Sequence, residues 1–432
     1  MMDFIKRQPA VRIIAVGFLL VILLGSLLLS LPCSVRDGVE LSYIDALYTA
    51  VSSVCVTGLA TVDVASTFTP IGQTFLALLI QTGGLGITSV GAAVILIAGK
   101  KMDLKSRNII RESMNLDSGR GVIRFLKSVF FTTLCIELVG AILNFLVFIR
   151  DFPFWRALGL SVFHAISAFN NAGFDLLGNF TSLAPYYDSV YFNLVTCALI
   201  FLGGIGFLVI REVVAKRFRW KKFSMHAKVV LTMSAVLILV GTLLFKLTED
   251  ISWLGAFFAS VSARTAGFAT YSLGSFSSAG LMIMMALMFI GASPGSTGGG
   301  IKTSTFFVLV EGIRASAGNK SEKAFKYKIP KDAFKKAAVI ALFAFSVVFA
   351  STVAVCAIEP DLALSDILFE MASAMGTVGL STGITPSLSA ASKIITMLVM
   401  YIGRLGAWTI VTLWSFSREE RISYPEGNIA IG

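Results

Sequence analysis

Thr265-Ala266-Gly267-Phe268 closes an apolar stretch, residues 257–268, and three other places in the chain carry its counterpart. Val56-Thr57-Gly58-Leu59, Asn171-Ala172-Gly173-Phe174 and Thr377-Val378-Gly379-Leu380 align with it on the glycine. Ten residues before each glycine stands an aromatic (Tyr48, Phe163, Phe257, Phe369), and five before it a small residue (Ser53, Ala168, Ser262, Ala374). A large apolar residue always follows. A short apolar helix ending in small residues directs the partial negative charge of its C-terminus forward. A glycine in the turn beyond it lets backbone carbonyls line a narrow passage. Four such turns make a ring of oxygens suited to holding a cation stripped of water. The spacing therefore assigns Val56, Thr57 and Gly58, Asn171, Ala172 and Gly173, Thr265, Ala266 and Gly267, and Thr377, Val378 and Gly379 to a candidate ion-binding filter.

A second stretch is Gly291-Ala292-Ser293-Pro294-Gly295-Ser296-Thr297-Gly298-Gly299-Gly300, followed by Ile301 and Lys302. So much glycine, with a proline, does not continue a helix, yet the flanking apolar residues place it at mid-membrane depth. Irregular backbone is tolerated there only where protein or water surrounds it. The spacing of Gly295 and Gly300 imitates a nucleotide-binding loop, but Ile301 stands where the lysine belongs and no strand precedes it, which excludes that reading. Two readings stay open, a loop that blocks or opens the passage and a passive break in a helix. Arg404 and Lys302 are ionisable residues inside apolar runs, a functional signal by default. Arg404 occupies the repeat position of Gly84 and Gly204; it is expected to point inward and bond the glycine-rich loop, or simply to tie its helix to a neighbour. Lys302 is expected to snorkel to the cytoplasmic face. Arg264 is expected to brace Asp366 or Glu370, and Asn170 and Asn171 to brace their own turn. Glu137 is the one carboxylate in a first helix and is expected to face away from the passage. His164 and His226 have no catalytic or metal partner in the sequence, the five cysteines lack ligand spacing, and no hydrolytic or redox set is present, so the chain does not read as an enzyme.

The elements that position these residues follow from composition. Of 432 residues, 56% are hydrophobic and 14% charged, with mean hydropathy +0.83, where a soluble domain carries about 25% charged residues. Eight apolar runs, 13–31, 71–98, 128–149, 190–210, 229–245, 276–301, 337–358 and 394–417, are long enough to span a bilayer. The first is too long for a secretory leader and is read as a span. Each glycine-bearing turn lies between an odd run and the next even one, giving helix, re-entrant loop, helix four times over. The repeats divide at 1–98, 99–213, 214–318 and 319–432. The second helices share a motif too: Gln81-Thr-Gly-Gly-Leu-Gly86, Phe201-Leu-Gly-Gly-Ile-Gly206 and Tyr401-Ile-Gly-Arg-Leu-Gly406, with Gly291 in the same slot. Small residues there let helices approach closely. The N-terminus, segments 99–128, 211–228 and 311–336, and the tail hold 28 of the 36 Lys and Arg. Eight spans put them all on one side, so both termini are expected in the cytoplasm. The net charge of +11 thus reflects topology and not nucleic-acid binding.

These motifs resemble the Trk/Ktr/HKT superfamily of potassium transporters, and within it the Ktr type of membrane subunit, over essentially the whole chain. The resemblance is carried by SAFNNAGFD (167–175), SARTAGF (262–268), GASPGSTGGGIKT (291–303), GRLG (403–406) and YPEGNIAIG (424–432). It implies an all-α integral membrane protein with eight transmembrane helices and four re-entrant pore helices in pseudo-four-fold arrangement around one pore. Potassium would be the transported ion, held at the filter carbonyls, with Gly58, Gly173, Gly267 and Gly379 matching the family's filter glycines. Residues 291–303 match its gating loop, and Arg404 the arginine that opposes the loop. The resemblance further implies uptake across the bacterial plasma membrane by a homodimer in membrane lipid. The dimer would sit on a cytosolic KtrA-like ring of nucleotide-binding RCK subunits, with sodium as a candidate activator and no covalently bound cofactor. The alternative is a carrier of the same fold that couples potassium to sodium or protons. Ala269 and Cys55 depart from the family's usual residues, which bears on selectivity alone.

Overall fold

The computed structural model describes residues 10–87, 89–92 and 121–413; the motif at 424–432 and most of the basic segment 99–128 lie outside them. The chain is helical almost throughout. Strand among the described residues is confined to the hairpin Lys323–Ala324 with Tyr327–Lys328. Four long helices, α1 (Ala10–Leu29), α4 (Val122–Phe148), α8 (Met225–Thr248) and α12 (Ala333–Ile358), are apolar and long enough to cross a membrane. Leu20 and Leu24 of α1, Phe131 and Leu134 of α4, Leu243 and Leu247 of α8, and Phe345 and Phe349 of α12 lie on the exposed surface. Apolar side chains so numerous on the outside suit a lipid solvent. Each long helix packs against a shorter one that follows it: α2 (Tyr43–Val54), α5 (Phe154–Phe169), α9 (Trp253–Ser262) and α13 (Leu364–Gly376). Serines start several of these helices, Ser42 and Ser252 accepting from the backbone N–H groups of Asp45 and Gly255.

A further set completes the packing: α3 (Pro70–Leu85), α6 (Val190–Gly204), α10 (Ser278–Phe289) and α14 (Ala390–Leu405). Helix α3 contacts α5, α6 contacts α9, α10 contacts α13, and α14 returns to α2. Lys393 on α14 and Asp45 on α2 close that last contact with a 2.7 Å ion pair.

The runs expected to be single second spans are broken. α6 turns through 100° into α7 (Phe207–Ala215), and α14 through 96° into α15 (Ala407–Leu413). α3 stops at Gly86, and α10 gives way to residues 290–302 before α11 (Thr303–Ala317) resumes. In three of the four the cause is the last glycine of the shared motif. Gly86, Gly206 and Gly406 adopt φ 83°, 90° and 85° with ψ near 140°, a conformation closed to residues with a side chain. Gly83, Gly203 and Gly403, three residues earlier, touch the carbonyls of Val54, Phe169 and Met375 so closely that a β-carbon could not fit. These glycines thus bend the helices as well as packing them.

Gly206→Ala should accordingly destabilise the protein by about 1–3 kcal/mol of backbone strain. Its β-carbon would also lie 2.6 Å from the Pro294 carbonyl oxygen. Gly159→Ala, on α5 with open space around it, is the control and should be neutral or mildly stabilising. Thermal melting of the detergent-purified protein measures both.

Candidate functional site

The four short helices end on the same kind of turn. Directly beyond them Val56, Asn171, Thr265 and Thr377 take φ of 57°, 59°, 70° and 49°, and two residues later Gly58, Gly173, Gly267 and Gly379 take 97°, 71°, 80° and 96°. Left-handed backbone is costly for valine and threonine and persists only where the surroundings enforce it. Left-handed geometry recurring at every second residue aims successive carbonyls toward one side. The four glycines meet: a β-carbon on Gly173 would lie 2.9 Å from the Ala266 oxygen and 3.0 Å from Gly267 Cα. In the same way Gly58 abuts Ala172 and Gly173, Gly267 abuts Val378 and Gly379, and Gly379 abuts Thr57 and Gly58, closing the series. The four glycines and the residues before them, Thr57, Ala172, Ala266 and Val378, are therefore drawn into one ring of backbone.

The ring is braced from behind by side chains that the sequence reading missed. Ser52 Oγ accepts from Gly58 N at 3.0 Å and Ser373 Oγ from Gly379 N at 3.1 Å. Ser167 Oγ donates to the Phe174 carbonyl at 2.7 Å and Ser262 Oγ to that of Phe268 at 2.5 Å. The signal was a serine six residues before the glycine in three copies and five before it in the fourth. Asn171 also reaches the neighbouring turn, its amide 3.2 Å from Thr265 Oγ1. Arg264 does not brace Asp366 or Glu370. Its guanidinium turns back to α8 and donates to the Ser234 carbonyl and Oγ at 3.3 and 3.2 Å, because the left-handed turn at Thr265 sends the residue before it away from the ring. Glu370 instead accepts from Thr385 Oγ1. His164, stacked on Phe192, bonds Thr196 and is structural.

On one side of the ring lies a cavity of about 470 Å³, lined by the four glycines together with Asp63, Asp175 and Ser381. On the other side lies the glycine-rich loop. Its ends are pinned together, Gly291 N donating to the Ile301 carbonyl at 2.8 Å and Ser293 Oγ lying 2.9 Å from Thr303 Oγ1. Its backbone amides are used across the molecule: Ser293 N and Thr297 N donate to Gly204 and Gly203 carbonyls, and Gly299 N to Thr377 Oγ1 at 3.0 Å. Gly298 and Gly299 pack on Thr265 and Thr377, which carry the ring. Arg404 reaches the loop as expected, donating to the carbonyl of Thr297 and, through Nη2, to those of Gly83 and Gly84. Lys302 does not snorkel outward. Its Nζ folds back to the Gly298 and Gly299 carbonyls at 2.7 and 3.3 Å, since those oxygens would otherwise be unpaired at membrane depth.

Asp175 supplies a titration at the cavity. Burial raises its carboxyl to about 6, the neighbouring Asp63 charge adding to the rise against backbone N–H groups of Leu177 and Gly178 that lower it. Acidifying the cavity side through that value removes a negative charge from the approach to the ring. A cation held at the ring should therefore bind with lower apparent affinity at about pH 5 than at about pH 7, and Asp175→Asn should flatten that dependence in equilibrium binding titrations of the purified protein.

Residues 10–422 match the family described as "TrkH: Cation transport protein". The chain is 38% identical to the Ktr system potassium uptake protein B of Bacillus subtilis, across 98% of this chain and 96% of that protein. It is 37% identical to the potassium/sodium uptake protein NtpJ of Enterococcus hirae, across 99% and 98%. The fold is that of the crystal structure of the potassium transporter TrkH from Vibrio parahaemolyticus, with a TM-score of 0.70 and 19% identity over 92% of this chain and 84% of that one.

Proposed function

The chain belongs to the TrkH family of cation transport proteins, as a membrane subunit of the Ktr type, and on that premise we propose that it carries potassium into the cell through a single pore. The observation that carries this reading is the closed meeting of Gly58, Gly173, Gly267 and Gly379 between a cavity and a loop. In the proposed architecture four helix–loop–helix repeats, 1–98, 99–213, 214–318 and 319–432, contribute eight spans and surround the pore. The cyclic contacts from α3 to α5, α6 to α9, α10 to α13 and α14 to α2 support it. The carbonyls of the four turns replace the hydration shell of potassium, and the C-termini of α2, α5, α9 and α13 add favourable potential.

Residues 291–300 with Lys302 form the gate. The loop crosses the pore beneath the ring, held by Arg404 and by the carbonyls of Gly203 and Gly204. Most of its residues are glycine or small, so two arrangements differing by a few kcal/mol are accessible, about the range that a bound regulator shifts. The relatives named as parts of a Ktr system support a partner subunit, which we assign as a cytosolic nucleotide-binding ring beneath a homodimer. The basic segments on the proposed cytoplasmic side are suited to acidic patches on that ring. The passive pore is favoured over a coupled carrier because the carboxyl groups behind the ring are held by the protein, Glu137 by Gln81 and Asn170 and Glu370, through one oxygen, by Thr385.

Flux from proteoliposomes tests the reading. The wild-type protein should pass potassium over sodium without a sodium gradient. Gly58→Ser and Gly379→Ser, which have no room for a β-carbon against Ala172 and Thr57, should lower the potassium-to-sodium ratio, tenfold for each ~1.4 kcal/mol of preferential binding lost. An unchanged ratio in both variants contradicts the filter. Deleting residues 295–300 should raise flux and weaken its dependence on the partner, and wild-type flux with full regulation contradicts the gate.

A further inference from the structure

Glu137 lies mid-way along α4 and is 8% exposed, buried against the end of the second pore loop. Its two carboxylate oxygens take different partners. Gln81 Nε2 donates to Oε2 at 3.0 Å, and Asn170 Nδ2 donates to Oε1 at 3.0 Å. The third side of the triangle is closed by Asn170 Nδ2 and Gln81 Oε1, 2.7 Å apart. The three residues come from three elements, α4, the last turn of α3, and the residue that ends α5.

Asn170 is the point where this triangle touches the proposed filter. It is fully buried and immediately precedes Asn171, the left-handed residue that opens the second turn. The position three residues before each filter glycine is held by Cys55, Asn170, Arg264 and Gly376. Two of these anchor their turn to the long helix of the same group, Arg264 to Ser234 on α8 and Asn170 to Glu137 on α4. Cysteine and glycine in the other two offer no such reach. The backbone of the ring is thus close to four-fold while its backing is not. Asn170 also fills the space beside Gly84, whose carbonyl, with that of Gly83, accepts from Arg404. The triangle therefore sets where both the second turn and the broken end of α3 sit.

We propose that Glu137 is a positioning residue that determines ion specificity, its carboxylate holding Asn170 and Gln81 so that the second filter turn keeps the carbonyl spacing suited to potassium. The inference rests on the four glycine turns being the filter. Replacing one carboxyl oxygen by an N–H removes one of the two acceptors that hold Asn170 and Gln81, and small displacements of coordinating carbonyls alter the balance between ions of different radius.

The test uses the full chain in proteoliposomes and compares potassium and sodium flux, the potassium concentration giving half-maximal flux, and the melting temperature of each variant. Glu137→Gln places an amide N–H against one of two donors. It should lower the potassium-to-sodium ratio about fivefold, the equivalent of one buried hydrogen bond, with a raised half-saturating potassium concentration and little change in maximal flux. The exchange Glu137→Gln with Gln81→Glu returns a carboxylate to the triangle and should restore the ratio to within about twofold of wild type. A proportional loss of both fluxes at constant ratio in Glu137→Gln, or an exchange variant no better than the single one, overturns the proposal. Where Glu137→Gln does not accumulate, Gln81→Met removes one donor at a half-buried position; a smaller shift in the same direction supports the proposal and an unchanged ratio overturns it. A wild-type protein that passes no potassium would instead refute the pore reading itself.

Discussion

Polar backbone at membrane depth has to find a partner inside the protein, because lipid offers none. This chain interrupts helices there repeatedly, at the four glycine turns, at the bends after Gly206 and Gly406, and through residues 290–302. Each interruption is stable only because another supplies what it lacks. Carbonyls freed where α6 ends accept from Ser293 N and Thr297 N of the glycine-rich loop. Those freed where α3 ends accept from Arg404, and the loop's own carbonyls at Gly298 and Gly299 accept from Lys302. The proposed filter and gate are in this sense one hydrogen-bonded assembly.

That interdependence explains the cations. An arginine or lysine in an apolar span is expensive unless its donors are used, and Arg404 and Lys302 spend theirs on carbonyls left over by broken helices. Both charges lie on the loop side of the glycine ring. In the proposed gate, a cation leaving the ring would meet positive charge until the loop and Arg404 moved together, an electrostatic as well as a steric barrier. On the cavity side the sign reverses, with Asp63 and Asp175 lining the approach.

How much of this was legible in the sequence depended on what produces a local signal. The four glycine turns were, since left-handed backbone and close approach both demand glycine, and an aromatic ten residues earlier marks each helix that leads in. The bends after Gly206 and Gly406 were not. Hydropathy averages across a bend, and Gly-Gly-x-Gly in an apolar run reads equally well as close helix packing. The position of Arg404 could be read from the repeat, because it replaces a glycine already aligned with Gly84 and Gly204. The partners of Lys302 and Arg264 were not legible, being set by which backbone groups went unpaired after folding. The Glu137–Gln81–Asn170 triangle was hidden for a simpler reason: its members stand 33, 56 and 89 residues apart and share no period.

The proposed filter holds one ion among the carbonyls of all four turns. Thallium is a heavy substitute for potassium, and anomalous diffraction from thallium-soaked crystals of the full chain locates it directly. A peak enclosed by the carbonyls of Thr57, Ala172, Ala266 and Val378, reduced by competing potassium and not by sodium, is the predicted result. A peak confined to Asp63 and Asp175 in the cavity, or one at the ring displaced equally by sodium, would contradict it.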